Sequence, residues 1–154
     1  MEKHSIQNYL KSNRVINSIN LTLTEKQIVN GKRIDGISSS QNFRHFKNLL
    51  NSKIYGKRYR RFDVQLKMVV VDEVSHNGRH HKHCIIEVPK GWDANDFVLL
   101  IHKFWKQTDY GHKQIHFEKP MNEQREVGWL NYILKHSTKN EGLENAVDWA
   151  NCYL

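Results

Sequence analysis

Four of the ten histidines fall close together, at His76, His80, His81 and His83. On an extended strand residues i and i+2 share a face, so His81 and His83 present two imidazoles side by side. Two imidazoles and one carboxylate suit a divalent ion. Two acids, Asp72 and Glu73, lie just upstream, across a Ser75-His76-Asn77-Gly78-Arg79 segment whose Asn-Gly pair is a strong hairpin signal. Hairpin register decides which acid joins the histidines. A two-residue Asn77-Gly78 turn pairs Asp72 with His83 and Val74 with His81. A three-residue loop with glycine in the left-handed position is expected to pair Glu73 with His83 and Ser75 with His81. A one-residue slip exchanges the faces of a strand, so only one of the two acids can be a ligand. Spacing alone leaves both open. His4, His45, His102, His112 and His116 are scattered and receive no site assignment.

A second segment, Gly128-Trp129-Leu130-Asn131-Tyr132-Ile133-Leu134-Lys135-His136, has helical periodicity. That spacing puts Gly128, Tyr132, Lys135 and His136 on one face and packs Leu130 and Leu134 on another. A phenol with a cation one turn on and a bare glycine one turn back could face a phosphate. The cation would stabilise either a phenolate or phosphate charge. The competing reading is an ordinary amphipathic helix whose tyrosine packs. A third segment, Lys57-Arg58-Tyr59-Arg60-Arg61, sets four cations around one aromatic. It reads either as a solvated basic loop or as a track for phosphates with Tyr59 as a stacking surface.

These groups must be positioned by a chain of 154 residues, enough for one domain with a core. Its net charge is +8, which favours a polyanionic partner. No apolar run approaches a transmembrane span, and the first 14 residues lack the apolar region of a secretory leader, so neither a membrane nor a secreted protein is expected. Cys84 and Cys152 are the two cysteines, too few for a disulfide scaffold or a cysteine-rich zinc site, and consistent with a reducing cytoplasm.

Residues 1–14 are polar and read as a flexible arm, with the domain expected over 15–154. Val15–Thr24 ends in strict alternation, with Ile19, Leu21 and Leu23 on one face of a strand and Asn20, Thr22 and Thr24 on the other. A loop is expected from Glu25 to Ile37. A helix should follow, capped within Ser38–Ser40, carrying Phe43, Phe46, Leu50 and Ile54 and stopped by Gly56. Phe62–Val74 and His80–Val88 read as the two hairpin strands. Asn95–Lys106 reads as a helix, Gln114–Glu118 as a strand, and Asn122–His136 as a helix with Val127, Leu130 and Leu134 as its stripe. Leu143–Tyr153 is expected to be a last helix. Helices and strands mixed around a central hairpin predict an α+β fold, a mainly antiparallel sheet with helices packed on it.

Together these pieces resemble the HUH endonuclease superfamily, the rolling-circle replication initiators of plasmids, phages and single-stranded DNA viruses. The resemblance runs from about Val15 to Lys139. Ile19 through Thr24 is similar to the family's first motif, a hydrophobic strand ending in threonine. Glu73 through His83 is similar to the second, an acid upstream of H-x-H, and Tyr132-Ile133-Leu134-Lys135 matches the third, Y-x-x-K. The helix and basic G-K-R-Y-R run before the hairpin also look like phage and plasmid initiators. The chain departs from the family at Lys82, where the middle of H-x-H is usually bulky and apolar. It carries one tyrosine on the helix, like the single-tyrosine subclass.

The resemblance implies an RRM-like or ferredoxin-like sheet and a Mn²⁺ or Mg²⁺ site on Glu73, His81 and His83, with Asp72 in reserve. It also implies that Tyr132 is the nucleophile that nicks and rejoins single-stranded DNA through a 5′-phosphotyrosine, aided by Lys135. A free phenol ionises only near pH ~10, so such help is needed. Lys57, Arg58, Tyr59, Arg60 and Arg61 would bind the strand. The expected partners are origin or hairpin DNA and a separate helicase and polymerase, and the expected form is a cytoplasmic monomer. Related single-strand transposases and mobilisation relaxases share this chemistry. A non-catalytic nucleic-acid-binding domain is the alternative of a different class, though the aromatic sheet signature of an RRM is missing.

Overall fold

The computed structural model describes residues 3–137 and 146–154. In chain order the elements are α1 (Lys3–Ser12), β1 (Ser18–Glu25), the short pair β2 (Ile28–Val29) and β3 (Lys32–Arg33), α2 (Gly36–Tyr55), α3 (Lys57–Phe62), β4 (Met68–Val74), β5 (His80–Glu87), α4 (Ala94–Gln107), β6 (Gly111–Glu118) and α5 (Glu123–Ser137). The fold is α+β. One sheet of order β4-β5-β1-β6 has every neighbouring pair antiparallel.

Alternation along the strands gives the sheet two covered faces. Ile19, Leu21, Leu23, Met68, Val70, Cys84 and Ile86 point to one side, where Phe43, Phe46 and Leu50 of α2 and Phe97, Ile101 and Trp105 of α4 bury them. Val69, Val71 and Ile85 point to the other, under Ile6 and Leu10 of α1 and Leu130, Ile133 and Leu134 of α5. The stripe of α5 thus uses Ile133 where Val127 was expected; Val127 is only half-buried. Among the described residues no helix is long and apolar enough to cross a membrane.

Several boundaries differ from the sequence expectation. The polar N-terminal stretch is not an arm but α1, because Ile6 and Leu10, one turn apart, bury fully against α5. The loop after β1 contains a tight hairpin, with Asn30 and Gly31 both at positive φ, the conformation a two-residue turn between twisted strands demands. The cap of α2 is Asp35 rather than a serine of 38–40. Its carboxylate accepts from the Ser38 amide at 2.7 Å, and the Ser38 hydroxyl accepts from the Asp35 amide at 2.9 Å, so two orphan donors are satisfied reciprocally. Gly56 ends that helix as expected, at φ 55°.

The strand expected from Phe62 begins only at Met68; residues before it form the short basic helix α3 and a turn at Asp63. Of the expected C-terminal helix, residues 143–145 lie outside the described residues. From Val147 onward the chain is not helical. It runs antiparallel along the free edge of β4, through bridges Val71↔Val147 and Met68↔Tyr153. The Met68 amide donates to the Tyr153 carbonyl at 2.8 Å and the Asp148 amide to the Val70 carbonyl at 2.9 Å. An uncovered edge strand leaves backbone groups unpaired, and this segment satisfies them.

Candidate metal centre and tyrosine face

The hairpin between β4 and β5 closes through a loop of His76, Asn77 and Gly78. The Gly78 amide donates to the Ser75 carbonyl at 2.8 Å, the Ser75 amide donates to the Arg79 carbonyl at 2.9 Å, and Gly78 sits at φ 75°. The resulting register pairs Glu73 with His81, Asp72 with Lys82 and Val71 with His83. Neither counted pairing is the observed one. The two-residue turn is absent, and the three-residue loop lies one position earlier than expected, so Glu73 opposes His81 instead of His83. A shift of two residues in partner leaves every side chain on its face, and Glu73 therefore still joins both histidines.

Glu73, His81 and His83 offer ligand atoms that all lie within 4.8 Å of one another, the one such group among the described residues. Glu73 Oε2 is 2.6 Å from His83 Nε2 and 3.1 Å from His81 Nε2. The imidazole rings meet edge to face at 5.3 Å. Nitrogen and oxygen ligands bind first-row divalent ions at about 2.0–2.2 Å, which sets neighbouring ligands roughly 3 Å apart. Glu73 stands near that spacing from both histidines, and all three ligand atoms lie close enough together to hold a divalent ion. Burial pushes the Glu73 carboxyl up, but the hydrogen bond from His83 and the charges of both imidazoles outweigh it. Its pKa lies below the ordinary carboxylate value, and the group is held as the anion that a metal needs.

Thr22 of β1 completes the support. It lies directly across from His83, and its Oγ1 is 3.3 Å from His83 Nδ1. A donor Nδ1–H at that hydroxyl would leave Nε2, which here contacts Glu73, as the nitrogen that exchanges this contact for an ion. His116 of β6 lies across from Thr22 on the same face and is exposed. The sequence reading assigned neither residue to the site. Their signal was strand parity: Thr22 alternates with Leu21 and Leu23, so it must face away from the core.

Asp72, the reserve ligand, points through the sheet to the opposite side. There it pairs with Lys82, which is fully buried and also lies 3.5 Å from Asp148. The departure at Lys82 is thus resolved by an ion pair in place of an apolar contact. Burial disfavours the ammonium, but Asp72, Glu25 and Asp148 together raise its pKa and hold it charged.

Tyr132 stands half-exposed on α5 and stacks on Trp129, centroids 5.3 Å apart and planes at 21°. Trp129 in turn meets the His83 ring edge to face at 6.1 Å. One indole therefore spans from the tyrosine to the cup. Lys135 is exposed one turn further along α5. The side chain of His136 lies outside the described residues. Gly128 and Tyr132 line one groove, shared with Asn20 of β1 and Glu118 of β6.

The basic segment is elsewhere. It forms α3, packed on α2, and leads into β4 at Met68, the end opposite to Glu73. Lys57, Arg58, Arg60 and Arg61 are exposed, whereas Tyr59 is half-buried with its hydroxyl 2.5 Å from Asn48 Oδ1. Arg58 lies over the ring of Tyr55 at 5.5 Å. These five residues are a cluster as expected, but the fold does not bring them to the cup, and Tyr59 faces its own helix pair.

Comparison with protein-family models, with characterised proteins and with solved structures finds no match.

Proposed function

We propose that this chain nicks and rejoins single-stranded DNA through a covalent 5′-phosphotyrosine, the chemistry of HUH endonucleases. The observation that carries this reading is the shared face of the cup and the phenol: Trp129 packs against both His83 and Tyr132. A histidine–histidine–glutamate cup without a nearby nucleophile would suggest only metal storage or structure, and a half-exposed tyrosine without a cup would be a surface aromatic.

Glu73, His81 and His83 would hold Mn²⁺ or Mg²⁺, which when bound supplies Lewis-acid stabilisation of charge on the non-bridging phosphate oxygens. Thr22 keeps His83 in the ligating tautomer. Tyr132 Oη attacks phosphorus in line, forming an Oη–P bond as the P–O3′ bond breaks. The phenolic proton leaves to a base, and the departing 3′-oxygen takes up a proton. Lys135 offsets negative charge on the phenolate or the phosphate. The phosphotyrosine preserves a transferable phosphoryl group, so a 3′-hydroxyl attacking it reverses the step and rejoins the strand. The released 3′-hydroxyl can also prime synthesis, which suits initiation of rolling-circle replication with a separate helicase and polymerase.

The strand itself would fit the part of this face that no helix of the described residues covers, where Thr22, Thr24, Gln114 and His116 lie on neighbouring strands. The remote cations of α3 would serve a flanking segment of the nucleic acid. The deciding experiment is incubation with origin-like single strands and Mn²⁺, followed by denaturing electrophoresis and mass spectrometry of the Tyr132 peptide. A denaturant-resistant adduct on that tyrosine is expected. Its absence on every strand, with binding retained, would leave a non-catalytic binding domain.

A further inference from the structure

The groove beside Tyr132 has polar equipment that metal–tyrosine chemistry does not use. It has a volume of about 600 Å³ and lies between β6 and α5, with Asn20, Glu118, Arg125, Gly128, Trp129 and Tyr132 among its walls. That size falls within the usual range for small-molecule sites. Asn20 is only 3% exposed, and its Oδ1 has no hydrogen-bond partner among the described residues. The indole Nε1 of Trp129 is buried and unpartnered in the same way. A buried acceptor and a buried donor left unpaired each cost free energy, and a bound molecule is one means of recovering it. Glu118 lies directly across the β1–β6 ladder from Asn20, on the same face. Nothing stands within 4 Å of where a Cβ on Gly128 would be, so the groove is open at that wall.

The chemistry of these walls selects a ligand. A carboxylate beside an amide oxygen repels phosphate and accepts from N–H groups. An aromatic pair at one end offers a planar, apolar surface. We infer that the groove holds one unstacked nucleobase adjacent to the nicked phosphate, and that it prefers a base with an exocyclic amino group over thymine. Cytosine presents an N4 amine where thymine presents the O4 oxygen, and an oxygen facing Asn20 Oδ1 and the Glu118 carboxylate is repelled. Arg125 at the mouth meets the flanking phosphate. The ligand class rests on the nicking proposal; the groove and its orphan groups do not.

The test uses the metal-free wild-type protein and single-stranded hexamers of dC and dT, which match in ring size. The readouts are affinity and the indole N–H resonance of Trp129, assigned by its loss in Trp129→Phe. The dC hexamer should move that resonance and bind about fivefold or more tightly than dT, the lower end of what one specific base contact contributes. Glu118→Ala, at an exposed position, and Asn20→Ala should each remove most of the difference, and Gly128→Leu should abolish the indole shift by filling the groove. Equal affinities, an unmoved indole or a preference that survives Glu118→Ala would overturn the inference. A base-selective groove in a protein that never forms the tyrosine adduct would overturn the nicking proposal alone. Adducts formed by a protein whose groove ignores the base would overturn this inference alone.

Discussion

Glu73 and His81 are direct partners across the β4–β5 ladder, with Glu73 Oε2 3.1 Å from His81 Nε2. Asp72, one residue earlier, is committed to Lys82 on the other side of the sheet. Two adjacent acids thus have separate tasks. Glu73→Ala should weaken Mn²⁺ binding by at least the ~10–100-fold that loss of a ligand's support causes. Asp72→Ala should leave Mn²⁺ affinity nearly unchanged but destabilise the fold by about 3–5 kcal/mol, since it strips a buried ammonium of its main partner. Calorimetric titration and urea unfolding of both variants measure the two effects. The opposite assignment of effects would contradict the register.

Tyr132→Phe keeps the stacked ring and removes the oxygen proposed to attack phosphorus. It should abolish the covalent DNA adduct while single-strand affinity stays close to wild type. An adduct that persists would have to sit on another residue, and peptide mapping would find it.

Under the proposed function Thr22 would contribute through its contact with His83 Nδ1 at 3.3 Å. Thr22→Val preserves shape and loses the hydroxyl, so metal affinity should fall by roughly tenfold or more. Thr22→Ser should restore it. Failure of the serine variant to rescue would indicate a packing role for the methyl group instead.

Glu25 sits behind the site in the far-face cluster, 2% exposed, with Ser39 as a hydrogen-bond donor to Oε1 and Oε2 unpartnered among the described residues. Burial raises its pKa from 4.5 to about 7, against the attraction of Lys82 and the Ser39 hydrogen bond, with Asp72 and Asp148 adding to the rise. The folded state therefore keeps this proton where the unfolded chain loses it. Between pH ~4.5 and ~7 the group's contribution to stability falls as pH rises, by roughly 3 kcal/mol in all, and levels off above. Glu25→Gln should flatten that part of the profile and be more stable than wild type at pH 8. Urea midpoints across this range check it, and an unchanged profile would remove Glu25 as the cause.

The α3 cations are distant from the cup, so binding and chemistry should separate. Neutralising Arg60 and Arg61 should lower the salt dependence of single-strand binding by a slope of about 0.7 per lost phosphate contact. The yield of adduct at saturating strand should not change. A constant slope would exclude α3 from the nucleic-acid interface.

Much of the fold was legible because it rests on local periodicity. The alternation of Ile19, Leu21 and Leu23, the helical spacing of Phe43, Phe46 and Leu50 and the Asn77-Gly78 turn signal each follow from backbone geometry, and the α+β class follows from them. The two histidines were readable as one pair for the same reason, since a strand repeats every second residue. Less was legible where the deciding contact is remote. Ile6 and Leu10 form a helix because α5 covers them, and Val147 to Tyr153 is extended because β4 has an edge to be filled.

The sequence by itself determined the strand faces, and hence that His81 and His83 share one face and that only one of Asp72 and Glu73 can join them there. Spacing left open which one, because parity depends on whether two or three residues close the loop, and the structure shows three, which puts Glu73 on the histidine face. Tertiary structure alone placed Trp129 between His83 and Tyr132, recruited Thr22 from β1, and sent the basic helix to the other side of the sheet. Those relationships join segments far apart in the chain. Periodicity assigns a side chain to a face of its own element, but only packing of one element on another selects what it meets there.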